Sequence, residues 1–357
     1  MADVKDGLCF SIRTISENFI QIDCGSSQGS EIALAGLKRI YDYFKTPDIF
    51  ILSHFHIDHY NGLLFLSTNK HQRKYFLPEF EIKKAYFPKI PDLKEKRGLK
   101  REFIEALFAI NLLIFGNETG LMEYDFLKAI YRINREKSFK YKLLSQGDKI
   151  NINGSIFEVI WPPNQIIEGK TLKTIERALN DFKKALEKDD KLKELYQRVR
   201  KEGIFEKYLE VEGEINYEND NKQNEYIQSK RTLPEIVKKA NDSLKKAANH
   251  LSLAFFEDNR ILFMGDLENY EIKQVVEYLE KNNRRNFLIF IPPHHGTHCH
   301  KNIEKIKWNC LLCSNGPKLC RKIAPYFKST SSLSTHINGD IVIPVLIEPF
   351  RWRRWYW

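Results

Sequence analysis

A chain of 357 residues that is 42% apolar and 13% aromatic can bury a sizeable core, which excludes a disordered segment or a disulfide-held miniprotein. Its formal net charge of +10 favours anionic partners, nucleic acid among them, although Lys-rich solvated helix faces supply much of that charge. Scattered cysteines (Cys9, Cys24, Cys299, Cys310, Cys313, Cys320), a start without a basic-then-apolar signal, and no apolar run near the ~20 residues of a membrane span lead to the expectation of a cytoplasmic protein with no transmembrane segment.

In chain order, β-branched and aromatic runs bounded by Gly, Asn, Asp or Pro predict strands over 8–12, 19–22, 49–52, 157–161, 251–256, 260–264, 287–291 and 340–346. Helices are expected after strands, at 30–44 and 270–282, and long polar helical blocks fill 93–136 and 171–209. Glu257-Asp258-Asn259 reads as a hairpin connection, and the polar stretch 213–230 as a loop. Strands alternating with helices early and late, with hairpin pairs between, predict an α/β sandwich in a single domain over 1–357. The helical segments at about 93–136 and 170–245 read as insertions.

The strongest chemical signal follows the strand at 49–52: Ser53-His54-Phe55-His56-Ile57-Asp58-His59. Three imidazoles and a carboxylate cannot be buried together cheaply without partners. In an extended His-x-His both rings can point the same way, and the following Asp-His, at the start of a turn, can face a second ion. Nitrogen and carboxylate donors suit zinc first, with manganese or iron as alternatives. Eight of the ten histidines lie in or beside this and two later motifs: His54, His56, His59, His250, His294, His295, His298 and His300.

His54-x-His56-x-Asp58-His59 resembles the signature of the metallo-β-lactamase superfamily. Three further landmarks fall in the expected order. Glu17 to Gly25 resembles an opening strand ending in Asp-x-Gly, Ile261 to Leu267 a strand ending in Gly-Asp, and Ile291 to Thr297 the His-His-Gly element. The resemblance implies a metallo-β-lactamase αββα sandwich holding two divalent metal ions. It implies that His54 and His56 hold metal 1, Asp58 and His59 hold metal 2, and Asp266 bridges them. It further implies that one residue of the His294–His295 pair completes metal 2, with His295 favoured and His294 facing the substrate or leaving group. For a third ligand of metal 1 the candidate is His250. The alternative is Asn249, since Asn-x-x-Ser-Leu resembles a branch related to the DNA-uptake protein ComEC, a relationship that also brings in phosphorylcholine esterase. His298, Cys299 and His300 are expected in an outer shell or on the surface.

Such a site implies a metal-dependent hydrolase with Asp58, Asp266 and His294 as its catalytic groups. The basic charge, the motif style and the C-terminal residues 348–357, where Arg alternates with aromatics, favour a phosphodiesterase or nuclease. Hydrolysis of an ester, lactone or thioester, and a partner-controlled effector subunit of a multi-protein defence system, are the alternatives. The tail and the helical insertions are the candidate surfaces for a protein partner. Cys310-x-x-Cys313 reads as a buried strand running into a turn, rather than as a redox or zinc motif.

Overall fold

In a computed structural model of the protein the described residues are 1–14, 19–44, 47–68, 80–93, 98–119, 125–152, 154–166, 169–216, 232–328 and 332–345. His71 and the C-terminal tail 348–357 lie outside them. The fold is mixed α/β, with two mixed β-sheets and helices around them. No helix among the described residues is long and apolar enough to cross a membrane.

The first sheet runs in the order β1 (Phe10–Arg13), β2 (Phe19–Ile22), β3 (Ile49–Ile51), β4 (Lys84–Pro88), β6 (Phe139–Leu144) and β10 (Glu212–Ile215). Its centre, β2-β3-β4-β6, is parallel, and antiparallel strands close both edges. The second sheet runs β15 (Ser332–Ser334), β14 (Lys307–Cys313), β13 (Asn286–Ile291), β12 (Ile261–Phe263), β11 (Ala254–Glu257), β8 (Ser155–Trp161) and β7 (Lys149–Ile152). Here β12 to β15 are parallel, and β11 joins β12 through the expected hairpin. The short strands β5 (Asp92–Leu93) and β9 (Gln165–Ile166) pair apart from both sheets.

Burial on both faces of the central strands explains the layering. Side chains alternate along a strand, and in β3 Ile49 and Ile51 join a cluster with Phe157, Val159, Phe255, Phe263, Ile289 and Ile291 of the second sheet. Phe50 points the other way, with Leu52, Ala85 and Phe87, into a cluster supplied by helices. Those helices are α1 (Ser30–Phe44), α2 (Asn61–Thr68), α3 (Leu99–Thr119), α4 (Phe126–Ile133), α5 (Lys170–Leu186), α6 (Asp190–Glu202) and α7 (Glu235–Asn249). On the outer face of the second sheet lies α8 (Asn269–Lys281), which buries Ile272, Val275, Val276 and Leu279 at helical spacing.

Several expectations shift. Residues 340–345 form no strand. Instead the Ile341 N–H donates to the Met1 carbonyl at 2.9 Å, and the Met1 amine donates back to the Ile341 carbonyl at 2.9 Å. Residues 213–215, expected in a loop, belong to β10, which adds an edge to β6. The strand β6 was not expected beside a helical block, yet its alternation Phe139-Lys140-Tyr141-Lys142-Leu143 is the period-two signal of a strand with one exposed face. The polar block at 171–209 is broken at Asp189, whose carboxylate accepts from the Leu192 N–H and starts α6. Cys310 and Cys313 sit on β14, and every cysteine is a free thiol.

Close backbone approach sets one glycine. A Cβ on Gly25 would lie 1.9 Å from the Asp58 carbonyl oxygen and 2.5 Å from the His59 Cα. Gly25→Ala must push the 23–25 segment away from the His-rich turn. A loss of about 3 kcal/mol is expected in urea unfolding, as for an overpacked buried site. A stability within 0.5 kcal/mol of wild type, as at an ordinary surface position, would show that the two segments are not tightly coupled.

Candidate metal centre

The chemistry-bearing residues sit where parallel strands end. Asp23 follows β2, Ser53 to His59 follow β3, Asp266 lies three residues past the end of β12, and His294 and His295 follow β13. Carboxyl ends of parallel strands are the usual place for a site in such sheets, and here both sheets deliver their ends to one place. Backbone hydrogen bonds stitch the loops together: Cys24 N–H to His59 O at 2.7 Å, Leu253 N–H to Ser53 O at 2.8 Å, and His294 N–H to Gly265 O at 2.9 Å.

Asp23 is the innermost group, fully buried and with a positive φ of 52°. Its Oδ1 accepts from the Ser53 N–H at 2.7 Å, and its Oδ2 accepts the Ser53 hydroxyl proton and lies 2.7 Å from His59 Nδ1. Because the Ser53 proton is spent on Asp23, its oxygen can accept from His54 Nδ1, 3.0 Å away. The Nε2 lone pairs of His54 and His59 are thereby turned to the opposite side of each ring. His56 is fixed the other way: its Nε2 donates to the Lys245 carbonyl at 2.7 Å, so Nδ1 carries the lone pair.

The His54 and His59 nitrogens come together at Asp266. Its Oδ2 lies 3.6 Å from His59 Nε2, 3.5 Å from His295 Nε2 and 3.8 Å from His294 Nδ1. His54, His59 and Asp266 each present one donor atom within 4.8 Å of the others. The His54 and His59 rings are 4.0 Å apart, and those of His54 and His56 4.4 Å. His54 Nε2, His59 Nε2 and Asp58 Oδ1 are buried without a hydrogen-bond partner among the described residues. Three buried polar atoms without partners beside a carboxylate would be costly in a closed core. The same set fits a divalent cation with nitrogen and oxygen ligands, and its imidazoles are oriented from behind by carboxylate, hydroxyl and carbonyl groups as metal-ligating histidines are.

The buried groups of the cluster also shift one another's ionisation. Burial resists ionisation of Asp266, but His295, His294 and His59 around it hold its carboxyl well below the usual value. Burial also resists charge on His59, which Asp23 and Asp266 on either side nevertheless raise well above the ordinary imidazole range. Burial lowers His54 well below that range, helped by His59 and His56, and lowers His56 to about 3.

The backbone at the His-His-Gly element is strained. His294 and His295 both have positive φ, 49° and 59°, a conformation that non-glycine residues seldom adopt. The strain separates the two rings. His295 is nearly buried and turns to Asp266, while His294 is more open and also reaches Asn249, with Nδ1 3.3 Å from its Nδ2.

His250, expected among the metal ligands, has its Nε2 buried without a hydrogen-bond partner among the described residues, while its other ring nitrogen is held from behind. It caps the C-terminus of α7, is wholly buried, and has Nδ1 2.7 Å from Glu271 Oε1. Thr171 donates to the same oxygen at 2.6 Å, and the His250 carbonyl accepts from Trp161 Nε1. Asn249, the residue before His250, reaches Glu268 and His294 with its amide nitrogen. Asp23, Ser53 and Glu268 were not among the expected site residues, and His298, expected in an outer shell or on the surface, lies beside Glu268 and His294. For Asp23 and Ser53 the signal was position, at the ends of two neighbouring parallel strands.

Comparison with known proteins finds no family model that matches the chain and no curated relative.

The low pKa of His56 has a testable sign. In the unfolded chain its imidazole takes a proton near the ordinary value of 6.5, and in the folded protein only near 3. Its contribution to stability is therefore complete above about 6.5 and is lost as pH falls toward 3. In urea unfolding of metal-free protein, His56→Gln should show a shallower fall of stability between pH 6.5 and 4 than wild type. Because His59 and His295 are shifted upward and slope the opposite way, the comparison is between variant and wild type. Equal slopes would remove His56 from the account.

Proposed function

We propose that this protein is a metal-dependent hydrolase of the metallo-β-lactamase fold that acts on phosphodiesters, with nucleic acid as one substrate class. The observation that carries the reading is the set of buried, oriented imidazole lone pairs around Asp266, delivered by the carboxyl ends of two facing sheets. In this reading the facing sheets, with α1 to α7 on one side and α8 on the other, form the αββα sandwich. His54, His56, Asp58, His59, Asp266 and His295 would hold the ions. Zinc suits the donors best, and manganese or iron are alternatives.

When bound, two such ions lower the pKa of a water and offset charge developing on the scissile group. The chain supplies the rest. Asp58, with Oδ1 unpartnered, can orient a water and accept its proton. Asp23 and Ser53 hold the His54 and His59 rings in place behind them. His294, the more open of the two adjacent imidazoles, faces the leaving group and can donate a proton to it. The half-buried Lys245, whose charge bears on both His56 and Asp58, adds positive potential that favours an anionic substrate.

Metal content and hydrolysis of bis-p-nitrophenyl phosphate and of single- and double-stranded nucleic acid should be measured with zinc and manganese. Wild type is expected to bind ions at this cluster and cleave, while Asp58→Ala and Asp266→Ala lose activity by at least about 100-fold, as for loss of a proton-transferring group. Ions bound without phosphodiester cleavage, but with turnover of an ester, lactone or thioester, would move the substrate class; no bound ion would end the reading. Separately, Asp23→Asn, which keeps shape but weakens the support of His59, should lower zinc affinity about 10- to 100-fold in a competitive chelator titration. Unchanged affinity would show that Asp23 serves folding alone.

A further inference from the structure

We infer that Glu268, His294 and His298 form a separate divalent-cation site at the mouth of the Asp266 cluster. Each of the three presents one donor atom within 4.8 Å of the others, and all three side chains are partly open to solvent. The inference stands on this geometry and not on the hydrolase reading.

The orientation of His298 repeats the device seen at Ser53. The Thr297 hydroxyl donates its proton to the His294 carbonyl at 2.7 Å, so its oxygen is left to accept from His298 Nδ1 at 3.1 Å. The His298 lone pair is then on Nε2, which faces Glu268 Oε2 at 3.5 Å. A lone pair and a carboxylate oxygen repel one another unless a cation or a proton lies between them. Glu268 is also released from the task its position suggests: it is the N-cap residue of α8 but makes no side-chain capping hydrogen bond. Its Oε1 instead accepts from Asn249 Nδ2 at 3.3 Å, and the same nitrogen is 3.3 Å from His294 Nδ1. Asn249 is itself 95% buried, being 5% exposed, and its Oδ1 has no hydrogen-bond partner among the described residues. The amide nitrogen thus positions two of the three groups.

Two imidazoles and one carboxylate suit zinc, cobalt, nickel or copper rather than magnesium or calcium, which prefer oxygen alone. Three protein ligands leave an open position for an anionic oxygen from solvent or substrate. His294 joins the two clusters, since its Nδ1 lies only 3.8 Å from Asp266 Oδ2. The outer ion therefore adds charge on the open side of the inner cluster, where an anion would enter.

The test counts ions on the full chain. Metal-free protein is equilibrated with zinc and analysed for bound metal, and cobalt(II) is titrated in parallel by visible absorption. Wild type, His298→Ala, Glu268→Gln and His54→Ala are compared, with thermal unfolding as the check of fold. Wild type should bind one ion more than His298→Ala and Glu268→Gln, or bind that ion more than about tenfold more tightly, since even an outer-shell partner is worth that much. His54→Ala should keep the outer ion. His298 has 31% of its side chain exposed, so its replacement leaves the core intact. Equal stoichiometry and affinity in wild type, His298→Ala and Glu268→Gln would overturn the site. An ion lost in His298→Ala but none lost in His54→Ala would sustain the outer site while removing the inner one.

Discussion

A single buried carboxylate, Asp23, organises the centre of this protein. An unpaired charge at that depth would cost several kcal/mol. The Ser53 amide, the Ser53 hydroxyl and the His59 ring together satisfy it, and each comes from the loop after the neighbouring parallel strand. Asp23 can reach all three only from a left-handed backbone at the end of β2. Gly25 then lets the chain pass against Asp58 and His59 without a side chain between them. The orientation of two imidazoles thus follows from the folding of one turn, and the site could not be loosened without losing the joint between β2 and β3.

The second sheet meets this arrangement from the opposite side. Its contribution is Asp266, placed after Gly265 has taken a positive φ of 45° that brings the chain against the Leu253 carbonyl. The strained pair His294 and His295 is held by the His294 N–H bond to Gly265 and by the packing of Gly296 against Cys313. Strain of this kind persists only where the surroundings over-determine it. Here it divides two consecutive imidazoles between the inner cluster and the outer one. Neither sheet holds the cluster alone, which makes the apolar layer between them, with Ile51, Phe263 and Ile291, a condition of the chemistry as well as of stability.

The helices between β4 and β11 act at one point of contact. The C-terminal end of α7 supplies the Lys245 carbonyl that orients His56 and the Asn249 amide that touches His294 and Glu268. The next residue, His250, is drawn instead to Glu271 on α8, where Thr171 of α5 also donates. This buried polar contact joins the helical segment to the helix behind the second sheet.

Much of this was written locally. The run His54 to His59 after a β-branched strand, Gly-Asp after another and His-His-Gly after a third each carried their own signal, because a strand end and a cluster of ligand-type side chains are properties of a few neighbouring residues. The amphipathic helices at 30–44 and 270–282 were legible from helical spacing. β6 and β10 were less so, since edge or half-exposed strands rich in Lys and Glu carry a weak apolar pattern and lie among helical blocks. Tertiary structure alone decided that Asn249 reaches His294 and Glu268, that Asp23 stands behind His59, and that Glu268 and His298 face each other. Those outcomes depend on the angle at which α7 meets the sheets and on hydrogen bonds between residues 19 to 45 positions apart in the chain, 36 for Asp23 with His59 and 45 for Asn249 with His294. The sequence by itself determined which donor types are present and on which strand ends they lie. Their convergence, and the nitrogen that each ring offers, came only from packing two sheets face to face.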